Sequence, residues 1–518
     1  MRTSSYTIYV NLPAQPDHVL LVHGYSGAYD VVARPVAAYL RSREVSRHKP
    51  LRGDWTDEAV ADTAAAPPSD ATMTVLRKRG FLTEQTVEEE RAFVASLASK
   101  RHAKEVSARP QYILMPTYQC NLRCGYCFQD HMRTDAAFSH LLKLMTPAMV
   151  ERVVTSMTAI DLRHPGALGR PRSVTLFGGE PLLAESRPLI ELLVRRLRES
   201  SDVQISAITN GTELEHFLDL LGPDQIASVQ ITIDGPPKTH DQRRIYADGS
   251  GSFAQIAANI TRALARDAVV QLRINVDKTN VDDLPELARE IAAHGWSTSR
   301  GFVAYAAAVH ATEDNHDTFN QYALVKRVNE LRDRHADMRL IHSPANEVER
   351  TIAKILQGQI KPWDAYKSSY CSAHTTMYVI DAFGDIYACW ERTGDANIRI
   401  GWIDETGVPR FPAATDPDRG LTEPKTRRYL PMVGNARIGD LETWRSRTIA
   451  TNATCASCRY AFYCGGGCAA EAVNESDGFF TNNCNGFQQK FRVAAAEAFT
   501  AYQAGALELR AELSLCGA

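Results

Sequence analysis

No apolar run in this 518-residue chain approaches the roughly 18 residues needed to cross a bilayer. The first residues, MRTSSYTIYV, lack a basic segment leading into an apolar one, so nothing there reads as a secretion signal. Charge of one sign is missing too. With 58 Lys and Arg against 61 Asp and Glu, the net charge of -3 gives no broad attraction for nucleic acid. Hydrophobic residues at 44% and charged residues at 23% exclude a disordered acidic tail and a collagen-like fibre. At about 150 residues per domain the length predicts three or four domains. The expectation is a cytoplasmic globular protein with neither nucleic acid nor membrane as partner.

Cysteine is absent from Met1 to Gln119 and again from Phe128 to Tyr370. The eleven cysteines are Cys120, Cys124, Cys127, Cys371, Cys389, Cys455, Cys458, Cys464, Cys468, Cys484 and Cys516. A disulfide framework would spread pairs over the whole chain, so this clustering points to metal. The first group, PTYQCNLRCGYCFQD, is C-x3-C-x2-C. Three thiolates on one loop suit three irons of a [4Fe–4S] cluster and leave the fourth open to substrate. A structural zinc site short of one ligand is the plainer alternative.

The surroundings decide between these. An apolar run at Tyr112–Met115 reads as a buried strand. Further strands are expected at Ser173–Phe177 (ending in Gly178-Gly179-Glu180-Pro181), Val203–Ile208, Val229–Ile233, Val269–Val276 and Gly301–Val309. Helical patterns lie between them at Thr146–Thr158, Pro188–Glu199, Phe253–Arg266 and Leu284–His294. Alternating strand and helix argues for a parallel α/β sheet with right-handed crossovers, whose strand ends carry the chemistry. On these motifs, from about Tyr112 to His310, the sequence resembles the radical S-adenosylmethionine (radical SAM) enzymes. The resemblance implies a partial (β/α)6 barrel in which Cys120, Cys124 and Cys127 ligate a [4Fe–4S] cluster that binds SAM. The aromatic Tyr126 before the third cysteine fits the pattern. Gly178, Gly179 and Glu180 look like the motif that receives the SAM amino group. Ser206, Asn210 and Asp234 match positions that contact its ribose or carboxylate, and Arg244 is a further carboxylate contact. No general base stands out: Asp277 is indistinguishable from a turn residue.

The C-terminal third carries Cys371, a hairpin at Thr375–Trp390, and Cys455-x2-Cys458-x5-Cys464-x3-Cys468 followed by Cys484. These gaps do not form two compact zinc sets. They are similar to the SPASM extension of peptide- and protein-modifying radical SAM enzymes, which holds two auxiliary Fe–S clusters of [4Fe–4S] type. By that resemblance Cys455, Cys458, Cys464 and Cys484 ligate the outer cluster, and Cys371, Cys389 and Cys468 the inner one. Eight ligands are needed and seven are present, so the inner cluster has an open iron, a non-cysteine ligand or [2Fe–2S] form. Cys516 is left as a bystander.

Near the N-terminus, Tyr6–Leu12 and His18–His23 read as a hairpin, and Val31–Arg41 as a helix interrupted by Pro35. Helices are also expected at Ala71–Arg79 and Thr86–Ala103, the latter with a Thr86/Glu89 capping box. The run VLLVHGYSG imitates a hydrolase oxyanion loop, but no G-x-S-x-G elbow accompanies it. A hairpin followed by helices resembles the winged-helix elements that bind leader peptides as an added strand. Segments 54–69 and 404–428 read as surface loops.

The expected organisation is therefore a recognition element at 1–105, the barrel at 106–345 and the SPASM domain at 346–518. The implied function is a maturase that crosslinks a ribosomally made precursor peptide by a C–S or C–C bond, with flavodoxin or ferredoxin as electron donor. Oxidation of one residue of a partner protein, as in sulfatase maturases, is the rival reaction. A zinc-binding interaction scaffold is the rival class.

Overall fold

The computed structural model describes residues 1–45, 66–310, 317–395, 398–412, 439–476 and 478–505. Cys516, positions 54–65 and positions 413–428 lie outside the described residues.

The N-terminal region builds two small sheets. Strands β1 (Arg2–Thr3) and β5 (Leu82–Thr83) pair antiparallel, while β2 (Thr7–Asn11), β3 (His18–His23) and β4 (Tyr29–Ala33) form a three-stranded meander. The hairpin is found as expected. Val31–Ala33, however, belongs to β4, and the helix runs over Arg34–Ser42 with Pro35 in its first turn. Proline's missing N–H has no helical partner at that position anyway, so Pro35 starts the helix and does not interrupt it. Helices Asp70–Arg79 and Val87–Val106 follow. The second is capped as its sequence implies, with Glu89 N–H donating to Thr86 Oγ1 and Thr86 N–H to Glu89.

Six parallel strands then make the centre of an eleven-stranded sheet: β6 (Gln111–Leu114), β7 (Arg172–Leu176), β8 (Val203–Thr209), β9 (Ile226–Thr232), β10 (Val269–Val276) and β11 (Phe302–Ala308). They are neighbours in chain order, each joined to the next through a crossover segment. The short β12 (Ile341–His342) extends one edge. On the other edge β13 (Met377–Ile380) pairs in parallel with β6 and leads into β14 (Asp385–Tyr387), β15 (Arg399–Ile403) and β16 (Pro409–Arg410). The sheet therefore runs unbroken from the α/β part into the C-terminal third.

One face of the six strands is apolar and covered by helices. Val174, Leu176, Ile205, Ala207, Val229, Ile231, Leu272 and Ile274 on that face are buried. Helix Arg187–Ser200 packs there because its aliphatic residues recur at helical spacing. Its five buried side chains, Leu189, Ile190, Leu193, Val194 and Leu197, are worth about 1.5–3 kcal/mol each. The strand register puts Thr175, Ser206, Gln230, Arg273, Asn275 and Tyr305 on the opposite face. These residues give that inner face a polar character, in contrast to the apolar face under the helices. No helix among the described residues is long and apolar enough to cross a membrane.

The N-terminal region is held by one buried carboxylate. Glu90 accepts from Arg2 Nη2 (2.8 Å), Ser4 Oγ (2.5 Å), Ser5 N (3.0 Å) and Tyr25 OH (3.1 Å). Burial works against its charge, but Ser4, Ser5 and Arg2 hold its pKa below the ordinary glutamate value. A group depressed this way stabilises the fold above the ordinary carboxylate range, and that contribution is lost as pH falls through its folded pKa. Glu90→Ala, which leaves Arg2 buried and unpaired, is expected to cost about 3 kcal/mol in urea unfolding at neutral pH. The gap from the parent should narrow in acid; a constant gap would reject the pairing.

Candidate active site and cysteine centres

Cys120, Cys124 and Cys127 sit on the loop that leaves the C-terminal end of β6. Phe177 N donates to Leu114 O, Gly179 N to Thr117 O and Glu180 N to Gln119 O (2.7 Å), so the exit of β7 is laced to the residues just before Cys120. Glycine is required for that approach. A Cβ on Gly178, whose φ is +140°, would lie 2.4 Å from the Thr117 carbonyl oxygen, and one on Gly179 would lie 2.3 Å from those of Tyr118 and Gln119.

Glu180 is 1% exposed. Its carboxylate accepts from Thr209 Oγ1 (2.7 Å), Asn210 N (2.5 Å) and Leu182 N (2.9 Å). Asn210 in turn donates through Nδ2 to Asn121 Oδ1 (2.8 Å) and reaches Cys120 Sγ at 3.7 Å. Glu180 is thus the brace that joins β7, β8 and the cysteine loop. Ser206 lies on the inner face further down β8, its hydroxyl 2.9 Å from Thr175 Oγ1.

Asp234, after β9, is fully buried and accepts from Tyr126 OH (2.6 Å) and Asn275 N (3.1 Å), with Arg243 Nε at 3.6 Å. Arg244 Nη1 donates to Tyr126 OH at 2.6 Å, and Asn275 Nδ2 does so at 3.1 Å. The phenol beside Cys127 therefore ties the loop to the ends of β9 and β10. Asp277 is occupied as a turn former: Oδ1 accepts from Thr279 N and Oγ1, and Oδ2 lies 3.0 Å from Arg243. Burial works to raise its pKa, but these partners hold it low, which suits it poorly to take a proton.

The thiols are gathered in three sets. Burial pushes the Cys120 thiol up to about 11 and the Cys124 thiol up to about 12, with neighbouring cysteines adding to both. Burial also raises Cys455, to which Cys464, Cys458 and Cys484 contribute. It raises Cys389 likewise, with Glu391, Cys468 and Cys371 contributing. Gly465, Gly466 and Gly467 all take left-handed φ (+77°, +92° and +81°), and the backbone of Ser369 and Asn483 fills the space a Cβ would need at Gly465 and Gly467. Arg447 donates to the carbonyls of Phe479 (2.6 Å), Gly467 (2.9 Å) and Thr481 (2.9 Å), bracing this turn. Sets of soft thiols drawn together in this way suit polynuclear iron–sulfur groups, whose positive irons favour the thiolate form.

Comparison with known proteins agrees with this geometry. Residues 114–291 match the Radical SAM superfamily. The chain carries a radical SAM domain and is an enzyme of that kind. SAM and a [4Fe–4S] cluster are the cofactors this family implies. GTP 3',8-cyclase of Rhizobium meliloti (strain 1021) is 23% identical over 344 residues, 61% of this chain and 89% of that protein. For the same enzyme of Rhodopseudomonas palustris (strain TIE-1) the figures are 28% over 181 residues, 35% of this chain and 47% of the relative. The chain thus spans about half the length of that second relative. The solved structure of native anSMEcpe with bound AdoMet and Cp18Cys peptide superposes with a TM-score of 0.52 at 15% identity, covering 77% of this chain and 100% of that one. That likeness is one of fold.

Sequence reasoning singled out most of this site but missed Asn121, Thr209, Arg133, Arg243 and Asn275. The DHMR and NVD stretches offer no pattern that sets them apart from ordinary polar loops.

Two predictions follow from these contacts. Gly179→Ala is expected to cut SAM cleavage about a hundredfold, because a displacement near 1 Å at the loop is enough for that. Far-UV circular dichroism should stay unchanged; wild-type 5'-deoxyadenosine yield would refute the close approach. Burial also raises the Glu180 carboxyl to about 7 against its three donors. Its contribution is then complete below the ordinary 4.5 and is lost as pH rises through about 7. Wild-type melting temperature should therefore fall more steeply than that of Glu180→Gln across roughly pH 5 to 8. Parallel profiles would rule the shift out.

Proposed function

We propose that this radical SAM enzyme is a peptide maturase that oxidises a ribosomally made precursor, installing a C–S or C–C crosslink. The observation that carries it is the arrangement of the two C-terminal thiol sets between the barrel and the N-terminal sheet. β13 extends the barrel sheet directly toward Cys389. On the far side, Tyr6 OH donates to Ala456 O (2.8 Å), Arg459 Nη1 donates to Thr7 O (2.6 Å), and Tyr29 OH meets Tyr463 OH (3.1 Å), all within the Cys455–Cys464 turn.

In this reading Cys120, Cys124 and Cys127 hold the SAM-binding cluster. Cys455, Cys458, Cys464 and Cys484 hold an outer auxiliary cluster, and Cys371, Cys389 and Cys468 an inner one. Reductive cleavage of SAM supplies a 5'-deoxyadenosyl radical that removes a hydrogen atom from carbon. The residues around it bind and orient. Gly178 and Gly179 would hold the exit of β7 against the cysteine loop, Asn210 would stand at the end of β8 with Ser206 on the inner face below it, and Arg244 keeps Nε without a hydrogen-bond partner. Crosslinking also removes a second electron and a proton from the peptide, and the C-terminal thiol sets provide the place for an electron acceptor. Strand β4 is an edge of the N-terminal sheet, where a peptide strand would add. The electron donor is a flavodoxin or ferredoxin.

The test is anaerobic reconstitution of the full chain with reductant, SAM and precursor peptides encoded beside its gene. The expected result is 5'-deoxyadenosine together with a peptide lighter by two hydrogen atoms. Turnover of GTP but of no peptide, or a colourless protein with stoichiometric zinc, would refute the proposal.

A further inference from the structure

Arg133 stands six residues beyond Cys127, on the short helix His131–Thr134. Its side chain is 2% exposed. Nη2 donates to Cys127 Sγ at 3.3 Å and to Asp130 Oδ1 at 3.4 Å, Nη1 donates to the Tyr118 carbonyl at 3.5 Å, and Nε has no hydrogen-bond partner. The other donors onto this set are neutral: Leu122 N to Cys120 at 3.4 Å and Asn210 Nδ2 to the same sulfur at 3.7 Å. Arg133 alone among these three brings a full positive charge, and it does so where little water screens it.

An electron entering a cluster adds negative charge to the site. A fixed cation hydrogen-bonded to a ligand sulfur stabilises the reduced form more than the oxidised one, and so raises the reduction potential. We infer that Arg133 is a positioning residue that sets the potential of the cluster held by Cys120, Cys124 and Cys127, making its one-electron reduction by a flavodoxin- or ferredoxin-type donor easier. The inference rests on the cluster assignment under Proposed function. Burial works against the arginine's charge, yet Cys127 and Cys120 hold its pKa above the ordinary value, in keeping with a guanidinium fixed against thiolates. Asp130, the one carboxylate paired with it, is itself partly exposed.

The experiment is a potentiometric EPR titration of the reconstituted full chain, following the reduced-cluster signal that changes when SAM is added. Arg133→Met removes charge and donor, Arg133→Gln keeps a neutral donor, and Arg133→Lys keeps the charge. At the potential where wild type is half reduced, the ratio of reduced to oxidised cluster should fall about tenfold in Arg133→Met, a midpoint about 59 mV lower. Arg133→Gln should also fall, and Arg133→Lys should recover part of the loss, all at wild-type iron content. Should Arg133→Met fail to fold, Arg133→Gln decides. Unmoved midpoints in iron-replete variants would overturn the inference while leaving the cluster assignment standing. A wild-type chain without any SAM-sensitive signal would overturn the assignment, and the inference with it.

Discussion

The candidate site depends on backbone lying against backbone with no room for a side chain between. Gly178 and Gly179 let the exit of β7 continue hydrogen bonding to Thr117 and Gln119, beyond the point where both strands formally end. Glu180 is thereby delivered into the interior, where Thr209, Asn210 and Leu182 are its donors. Asn210, fixed by that carboxylate, reaches Asn121 and Cys120. One steric condition therefore sets the position of the first cysteine relative to three strands. A bulky residue at either glycine would disturb all of these contacts at once.

A second condition is electrostatic. Burial favours the neutral thiol, whereas a metal takes the thiolate, so metal binding at any of these sets would release protons. The sets differ in what surrounds them. Arg133 and Arg244 stand near the first. Glu391 and Glu471 stand near Cys389 and Cys468, joined through His310, whose ring lies 3.8 Å and 3.5 Å from them. Glu180 and Asp234 also act on the first set, and Arg447 on Cys371 and Cys468, so each set has charge of both signs near it.

Much of this was legible in the sequence. Apolar runs of strand length ending in glycine or polar residues gave all six parallel strands, because strands covered by helices on one face must carry them. The Thr86/Glu89 capping box and the Gly-Gly-Glu triplet are local chemistry and could be read locally. β4 was not legible: Tyr29–Ala33 is half exposed, and its valines serve a helical pattern as well as a strand. The parallel pairing of β13 with β6 joins residues more than 260 positions apart, and no local signal encodes it. The same limit hid the ties of Tyr126 to Asp234, Arg244 and Asn275. Asp234 accepts from Tyr126 OH and Asn275 N, a tie for which one sequence contains no signature.

The inner face of the barrel bears on what can bind there. Its polar side chains are paired sideways: Thr175 with Ser206, Gln230 with Tyr305, and Arg273 with Asn275. Such pairs keep a concave surface polar without leaving donors stranded. Arg273 is the only charged residue among them. Arg243 is committed to Asp277 and Thr279, and Arg244 to Tyr126. The face so built presents spaced hydrogen-bonding groups and one guanidinium, an arrangement fixed by the strand register.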